Sequence, residues 1–488
     1  MTRYERIIAA LAQMDLIETV PDTPPAAIMG ITEDSRQVEA GALFCAIAGT
    51  AEDGHAYVHD AVSRGAAAVM VTRTCDIRIP QIVVRDARAA VAVAAAEWFG
   101  HPARDLEIVG VTGTNGKSTT VALVCSLLNT AENAGAIGTL GAFDGRGVSL
   151  YEEGLTTPGA VRLQETLAWM RDAGVTRLAM EVSSHALDQG RVNGLSFSAG
   201  VFTNLTHEHL DYHASFEEYF RAKARLAGML CDRAVLVVNA DDPAWEALDT
   251  PEGARRVTYG LHAAAIVMAS DVRLTREGAD LQLHFGDDAV PARTPLIGEF
   301  NVSNVLAAAA TAWGLGEEPG DIVGRLAGAS QVPGRMERLW AERFLVLRDY
   351  AHTPDALERA IAAARPLTPG RLVVLFGAGG DRDRSKRPVM GRVAAAGADV
   401  IVVTSDNPRT EDPDRIIDDI IGGMVGGDHV RITDRRDAIA HAVGMLGEGD
   451  CLILAGKGHE TYQVIGTERS PFDERAIVLE ALAHRARS

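Results

Sequence analysis

Gly116, Lys117 and Ser118 close a short stretch, GVTGTNGKSTT at residues 110–120, whose residue types suit phosphate chemistry. A glycine-containing turn entering a helix directs backbone N–H groups at an anion. A lysine there adds charge to terminal phosphates, and a Ser or Thr hydroxyl can ligate Mg²⁺. The usual pattern, G-x-x-x-x-G-K-[ST], asks for a first glycine at 111, where this chain has valine. The bland alternative is a glycine-rich turn that binds nothing. Context favours the nucleotide site: LEIVGVT reads as a strand, STTVALVCSLLNTA as a helix and GTNGKS as the turn between them.

Two later stretches add candidate metal ligands. In MEVSSHALDQGRV, Glu181 falls near the C-terminal end of a strand, where it can join Ser118 around one Mg²⁺. FTNLTHEHLDYH brings His207, His209 and His213 together after another strand, but without HExxH or a nearby cysteine, which argues against zinc. Next, SFEEYFRAKARLAGML opens on a capping-box pattern, Ser215 with Glu218. Its apolar positions are Phe216, Tyr219, Phe220, Leu226, Ala227 and Leu230, and helical spacing puts Lys223 on the same face. Helix geometry alone favours a lysine that snorkels to water. The sharper alternative is a lysine held near a metal. Burial would favour its neutral amine, which can react with CO₂ to give an anionic carbamate able to ligate a cation.

These loops need a scaffold. Strand candidates in the middle of the chain are LEIVGVT, RLAMEVS, AGVFTNL and AVLVVNADD; further on they are FLVLRDYA, RLVVLFGAGG, ADVIVVTSDN and CLILAGKG. Uninterrupted apolar runs alternating with helices imply an α/β fold with parallel strands covered on both faces, and such sheets bind ligands at the carboxyl ends of their strands. Breaks at Gly100–Pro102 and Pro333–Gly334 divide the chain into three expected domains, 1–103, 104–334 and 335–488.

Composition narrows the class. The chain has 488 residues, 47% hydrophobic and 5% aromatic, with 48 glycines, which suits an Ala/Val/Gly-rich α/β protein with an ample core. Its net charge is −19 and no Lys/Arg run stands out, so nucleic acid is not an expected partner and anions must be held locally. The five cysteines, Cys45, Cys75, Cys125, Cys231 and Cys451, show no CxxC spacing and fit buried thiols in a reducing cytoplasm. The opening MTRYERIIAALAQM is amphipathic rather than a signal peptide. No uncharged apolar run approaches the ~18 residues of a membrane span.

Read in order, GTNGKST, EVSSHALDQGRV, NLTHEHLDYH and FRAKARL resemble the Mur ligases of peptidoglycan synthesis. GEFNVSN, VPGRMER, DYAHTPDAL, GGDRDRSKRP, SDNPRT and AGKGHE narrow the resemblance to the MurE type, and EDSRQVEAGALFCAIAG extends it to the first domain. That family uses the shortened loop, so Val111 is no defect. The resemblance implies three domains: a uridine-nucleotide-binding first domain, a central ATPase domain and a Rossmann-like third domain that binds the incoming amino acid. It implies ATP and Mg²⁺, and a reaction through an acyl phosphate that joins meso-diaminopimelate to UDP-MurNAc-L-Ala-D-Glu. A cytoplasmic monomer is expected.

Residue by residue, the resemblance assigns Thr114, Asn115, Gly116, Lys117, Ser118, Thr119 and Thr120 to the ATP phosphates. Ser118 and Glu181 would hold one Mg²⁺, and His209 with carbamylated Lys223 the other. Asn301, Asn304, Arg335, Asp349 and His352 match nucleotide contacts. Ser35, Thr156, Thr157, Ser183, Gln189 and Arg191 match contacts to the UDP-muramoyl-peptide; Leu155 departs from the Asn that some relatives carry before the Thr-Thr pair. Arg382, Asp406, Asn407, Pro408, Arg409, Gly456 and Glu460 match the amino-acid site, DNPR being the form seen in diaminopimelate-adding members. Competing readings are a lysine-adding member of the same type, a folylpolyglutamate synthase-like ligase, a P-loop kinase and a non-catalytic sugar-nucleotide binder.

Overall fold

The structure, a computed structural model, describes residues 1–49, 52–130, 133–151, 154–206, 212–424, 426 and 428–485. The chain divides into two compact units, Met1–Val267 with Ala307–Glu318, and Met268–Leu306 with Pro319–Ser488.

The first unit holds two sheets. Near its start, strands Ile17–Thr19, Gln81–Val84, Ala68–Val71, Ala42–Cys45 and Gly30–Thr32 lie side by side in that order. All pair in parallel except the Ile17–Thr19 edge. The second sheet carries the phosphate-loop strand. Its parallel strands run Arg255–Gly260, Leu230–Asn239, Phe197–Phe202, Glu107–Thr112, Val175–Glu181 and Asn133–Gly138. Ile108, Val109 and Val111 are buried, as an inner strand covered on both faces requires. The four strands expected here from their apolar runs all form and all pair in parallel.

In the second unit, Leu345–Asp349, Cys451–Ala455, Leu372–Phe376, Val400–Val403 and His429–Arg431 are parallel neighbours in that order, with Glu337–Ala341 antiparallel at one edge. Every residue of Leu372–Phe376 and of Cys451–Ala455 is buried. A hairpin, Tyr462–Ile465 with Glu468–Pro471, follows the last parallel strand.

Candidate active site

The phosphate-loop strand is central, and register sets its surroundings. Glu107–Thr112 lies between Val175–Glu181 and Phe197–Phe202, with Glu181 opposite Val111 and Phe202 opposite Thr112. The chain leaving Phe202 therefore runs beside the loop and clamps it. Thr114 N donates to Asn204 O (2.7 Å) and Asn115 N to Asn204 Oδ1 (2.9 Å). Thr203 Oγ1 donates to Asn115 O (2.7 Å), and Thr206 N to Thr114 Oγ1 (3.0 Å). Gly113 has φ +146°, and a Cβ there would overlap Thr203 Oγ1. Gly116, at φ +84°, caps the Lys117–Leu128 helix, so Lys117, Ser118, Thr119 and Thr120 form its first turn.

Lys117 Nζ donates to Gly113 O (3.0 Å) and Thr114 O (2.8 Å). Lys223 converges on the same carbonyl. Its helix, Phe216–Ala224, starts at Ser215, whose hydroxyl accepts from Glu218 N; Glu218 Oε2 bonds back to Ala214 N, one residue before the expected cap. Lys223 is 1% exposed and its Nζ donates to Gly113 O (2.7 Å), 4.5 Å from the Tyr219 ring centre. The snorkelling geometry is therefore overturned: the helix face it shares with Tyr219 is covered, so the ammonium finds a backbone carbonyl rather than water. Tyr219 Oη lies 3.1 Å from Thr114 Oγ1, tying this helix to the loop.

Glu181 is buried, with Oε1 accepting from Thr139 N (2.8 Å). A Cβ at Gly138 would overlap the Glu181 carboxylate, so a glycine at the end of the adjoining strand makes room for it. A buried carboxylate on the strand next to the loop, and the Ser118 hydroxyl in the first helical turn, offer oxygen donors only, which suits a hard cation such as Mg²⁺. His207 and His209 lie outside the described residues.

Thr156, Thr157, Ser183, Gln189 and Arg191 assemble beside this carboxylate. Thr139 Oγ1 donates to Thr156 Oγ1 (3.1 Å), Thr157 Oγ1 donates to Glu181 O (2.9 Å), and Ser183 N donates to Thr157 Oγ1 (3.0 Å). Arg191 donates to Thr157 O (2.9 Å) and through Nε and Nη2 to Gln189 Oε1 (3.0 and 2.6 Å). Ser35 is buried, and among the described residues no hydrogen bond joins its side chain to this cluster; its neighbour Glu33 lies so close to Gly159 that a Cβ there would overlap it. Burial pushes the Glu33 carboxyl up, opposed by Arg191.

In the second unit, Arg335 stacks on Tyr350 (4.7 Å) beside Asp349 and His352. Asp349 accepts from Met336 N (2.7 Å) and Ala351 N (2.9 Å), and burial pushes its carboxyl up to about 6 despite Arg335. His352 Nδ1 is 2.8 Å from Tyr350 O. Asn301 and Asn304 form a separate buried pair on the Glu299–Gly314 helix, Asn304 Nδ2 donating to Asn301 Oδ1 (3.0 Å).

The loops after Leu372–Phe376 and Val400–Val403 place both expected carboxylate-binding arginines beside Gly379. A Cβ on Gly379 would lie 3.0 Å from Arg409 Nη1 and 3.7 Å from Arg382 Cγ. Arg409 has φ +51°, a backbone held by Arg409 N to Val464 O (3.1 Å) and Gly466 N to Arg409 O (2.6 Å) from the hairpin. Its Nη1 donates to Gly380 O (2.9 Å) and Asn407 O (3.4 Å), leaving Nε and Nη2 without a partner among the described residues. Pro408 is buried, and its carbonyl sits where a Cβ on Gly380 would be. A Cβ on Gly456, at φ +115°, would meet Asp406 Oδ2 at 3.1 Å. Asn407 Nδ2 donates to Glu460 Oε2 (2.8 Å).

Sequence reasoning passed over the residues that brace this loop. Buried Arg387 donates to Glu411 Oε1 (2.7 Å) and Oε2 (3.1 Å), holding that carboxyl down at about 2, and Glu411 accepts from Asp381 N (2.6 Å). Lys457 was also missed, although a lysine between two glycines after an apolar strand was a signal. Asn204 had none, since its partners lie 89 residues away in the chain.

His459 yields a pH prediction. Burial, reinforced by Arg335 and Arg348, lowers its imidazole from 6.5 to about 4. The unfolded chain binds this proton first as pH falls, so the folded state loses stability between those values. At pH 5 the loss is on the order of 2 kcal/mol. Urea unfolding at pH 7 and pH 5 should show a smaller pH difference in His459→Gln than in the natural chain; equal differences would remove this assignment.

A clamped glycine loop at a helix N-terminus, set on a parallel α/β sheet with a buried carboxylate on the next strand, fits a nucleotide-using α/β enzyme. The chain belongs to the Mur ligase family: the family's catalytic-domain pattern matches residues 27–105, its middle domain 111–312 and its glutamate ligase domain 334–458. The chain is similar to the UDP-N-acetylmuramoyl-L-alanyl-D-glutamate–2,6-diaminopimelate ligase of Geobacillus kaustophilus, 43% identical over 468 residues, which are 94% of this chain and 95% of that protein. It is 44% identical to the protein of the same name from Synechococcus elongatus over 473 residues, 94% and 95% of the two chains. A solved structure of a ligase so named matches with a TM-score of 0.68 at 32% identity, covering 95% of this chain and 96% of the other.

Proposed function

We propose that this chain joins meso-diaminopimelate to the D-Glu side-chain carboxylate of UDP-MurNAc-L-Ala-D-Glu, using ATP, in the cytoplasmic synthesis of peptidoglycan precursors. The observation that carries the reading is that Arg409 Nη1 and the stem of Arg382 both lie beside Gly379, with Asp406 and Glu460 in the same unit's loops: charges suited to a second carboxylate and a second ammonium. The functional domains we assign are 1–103 for the uridine nucleotide, 104–334 for ATP and 335–488 for the amino acid.

A carboxylate does not condense with an amine in water, because its oxygen is a poor leaving group. The D-Glu carboxylate oxygen attacks the γ-phosphorus of ATP and ADP departs. The amine nitrogen then attacks the acyl carbon, and phosphate leaves with the former carboxylate oxygen while the amine loses a proton. Thr114, Asn115, Gly116, Thr119 and Thr120 cradle the phosphates, and Lys117 neutralises charge on the transferring group. Ser118 and Glu181 would hold one Mg²⁺, and His209 with carbamylated Lys223 a second; the ions supply charge neutralisation at the phosphoryl oxygens. Ser35, Thr156, Thr157, Ser183, Gln189 and Arg191 hold the UDP-muramoyl-peptide. Asn301, Asn304, Arg335, Asp349 and His352 are assigned to the nucleotide.

The test is phosphate release with UDP-MurNAc-L-Ala-D-Glu and a panel of amino acids. The expected result is ADP plus phosphate only when the dipeptide and diaminopimelate are both present. ADP without phosphate would mean a kinase, and release indifferent to the amino acid a simple ATPase. Lys117→Ala should lower turnover through a loss of roughly 1.5–3 kcal/mol or more in the transition state. Binding of the UDP-dipeptide, measured by calorimetry, should hardly change. Near-normal ligation at saturating ATP would show that the loop does not serve the phosphates.

A further inference from the structure

Lys457 is fully buried, one residue past Gly456, among the side chains assigned above to the amino acid. Its Nζ donates to Asn407 Oδ1 (2.9 Å) and Tyr462 O (2.7 Å), and lies 3.5 Å from both Glu460 Oε2 and Asp406 Oδ1. The rings of Tyr462 and Phe472 stand 5.7 Å away. Asn407 Oδ1 also accepts from Val464 N (3.0 Å). With two donors on that oxygen, the amide can face only one way, and Nδ2 must point at Glu460.

Buried charges must balance. Among the side chains in contact, Asp406 and Glu460 bring two negative charges and Lys457 one positive; half-buried Lys386 also acts on Asp406, but from outside this contact set, its Nζ donating to His352 O (3.0 Å). Asp406 Oδ1 has no hydrogen-bond partner among the described residues. A buried carboxylate oxygen left in that state calls for a donor from a ligand.

We propose that Lys457 is the positioning residue of the amino-acid subsite: it fixes the Asn407 amide and leaves Asp406 with Glu460 a single net negative charge, matched to one substrate ammonium. This rests on the amino-acid site proposed above. The lysine does not touch the substrate; it acts through the three side chains that do. Without it two carboxylates face one ammonium, Glu460 is driven toward its protonated form, and Asn407 is freed to turn.

The experiment is a cycle of Lys457→Met, which keeps the volume, Glu460→Gln and the double variant, assayed by phosphate release. Lys457→Met should raise the KM for diaminopimelate by about 10- to 100-fold, with the KM for ATP and for the UDP-dipeptide changed less than about twofold. Glu460→Gln alone should also raise it. Combined with Lys457→Met it should leave the KM no worse than Lys457→Met alone, because one net negative charge is restored. A double variant whose loss is the product of the two single losses would overturn the charge-balancing role. So would an unchanged KM in Lys457→Met. Should the Met variant not fold, Lys457→Gln, which keeps a donor for Asn407 but no charge, is held to the same outcomes. Arg409→Ala separates the two levels. If it raises the diaminopimelate KM while the Lys457 variants do not, only the positioning role fails. If neither does, the amino-acid site lies elsewhere.

Discussion

Lysine offered in place of meso-diaminopimelate should be used with a kcat/KM lower by about 10⁴-fold. The two differ by one distal carboxylate. Arg409 is anchored by Nη1 on Gly380 O and by its left-handed backbone on the hairpin, and its Nε–Nη2 edge is the one left to act as a fork. A guanidinium edge binds a carboxylate through two parallel hydrogen bonds. Arg382, whose stem also lies beside Gly379, adds a second positive charge to these loops. With lysine bound, the fork faces no anion, and a site built for a polar group strongly rejects an analogue without it. Arg409→Ala should therefore raise the KM for diaminopimelate most and narrow the gap between the two amino acids. The check is steady-state kinetics with each amino acid at saturating ATP and UDP-dipeptide. Comparable kcat/KM values for the two in the natural chain would overturn the specificity while leaving the ligase reading standing.

Replacing Lys223 with alanine should cost about 10²–10³-fold in turnover, and a short carboxylic acid in the buffer should restore part of it. Lys223 and Lys117 both donate to Gly113 O, so two ammonium groups converge on one carbonyl. Like charges repel there. The ammonium first gives up one proton; the neutral amine then forms an N–C bond to CO₂ and releases a second, so the charge goes from +1 to −1 and the repulsion becomes attraction. The carbamate nitrogen keeps one N–H, enough to retain the bond to Gly113 O while its oxygens become cation ligands. In the alanine variant a small carboxylate can occupy the vacated space and supply those oxygens. Rescue by small amines in its place would show that the ammonium is the working form, and unimpaired activity would make Lys223 a packing residue.

Much of this protein is legible from its sequence because its determinants are local. GTNGKS lies between an apolar run and a helical one, so the loop, the helix N-terminus and the places of Lys117 and Ser118 follow from neighbouring residues. The eight parallel strands expected from apolar runs all form, because burial on both faces demands continuous Val, Ile and Leu. The family motifs carried the remaining site residues, including Arg409 and Arg382. Tertiary structure alone decided which strands became neighbours. Hydrophobic pattern tells a strand to be inside a sheet and not whom to pair with, so nothing local placed Asn204 on the phosphate loop or Gly138 beneath Glu181. The same limit governed the lysines. Helical periodicity put Lys223 on the apolar face, yet whether its amine reached water depended on what covered that face, and Gly113 O came from 110 residues away. Lys457 was decided in the same manner. Its charge gained meaning only when the chain brought Asp406, Asn407 and Glu460 around it, since burial makes a lone ammonium costly and a partnered one an organiser of its neighbours.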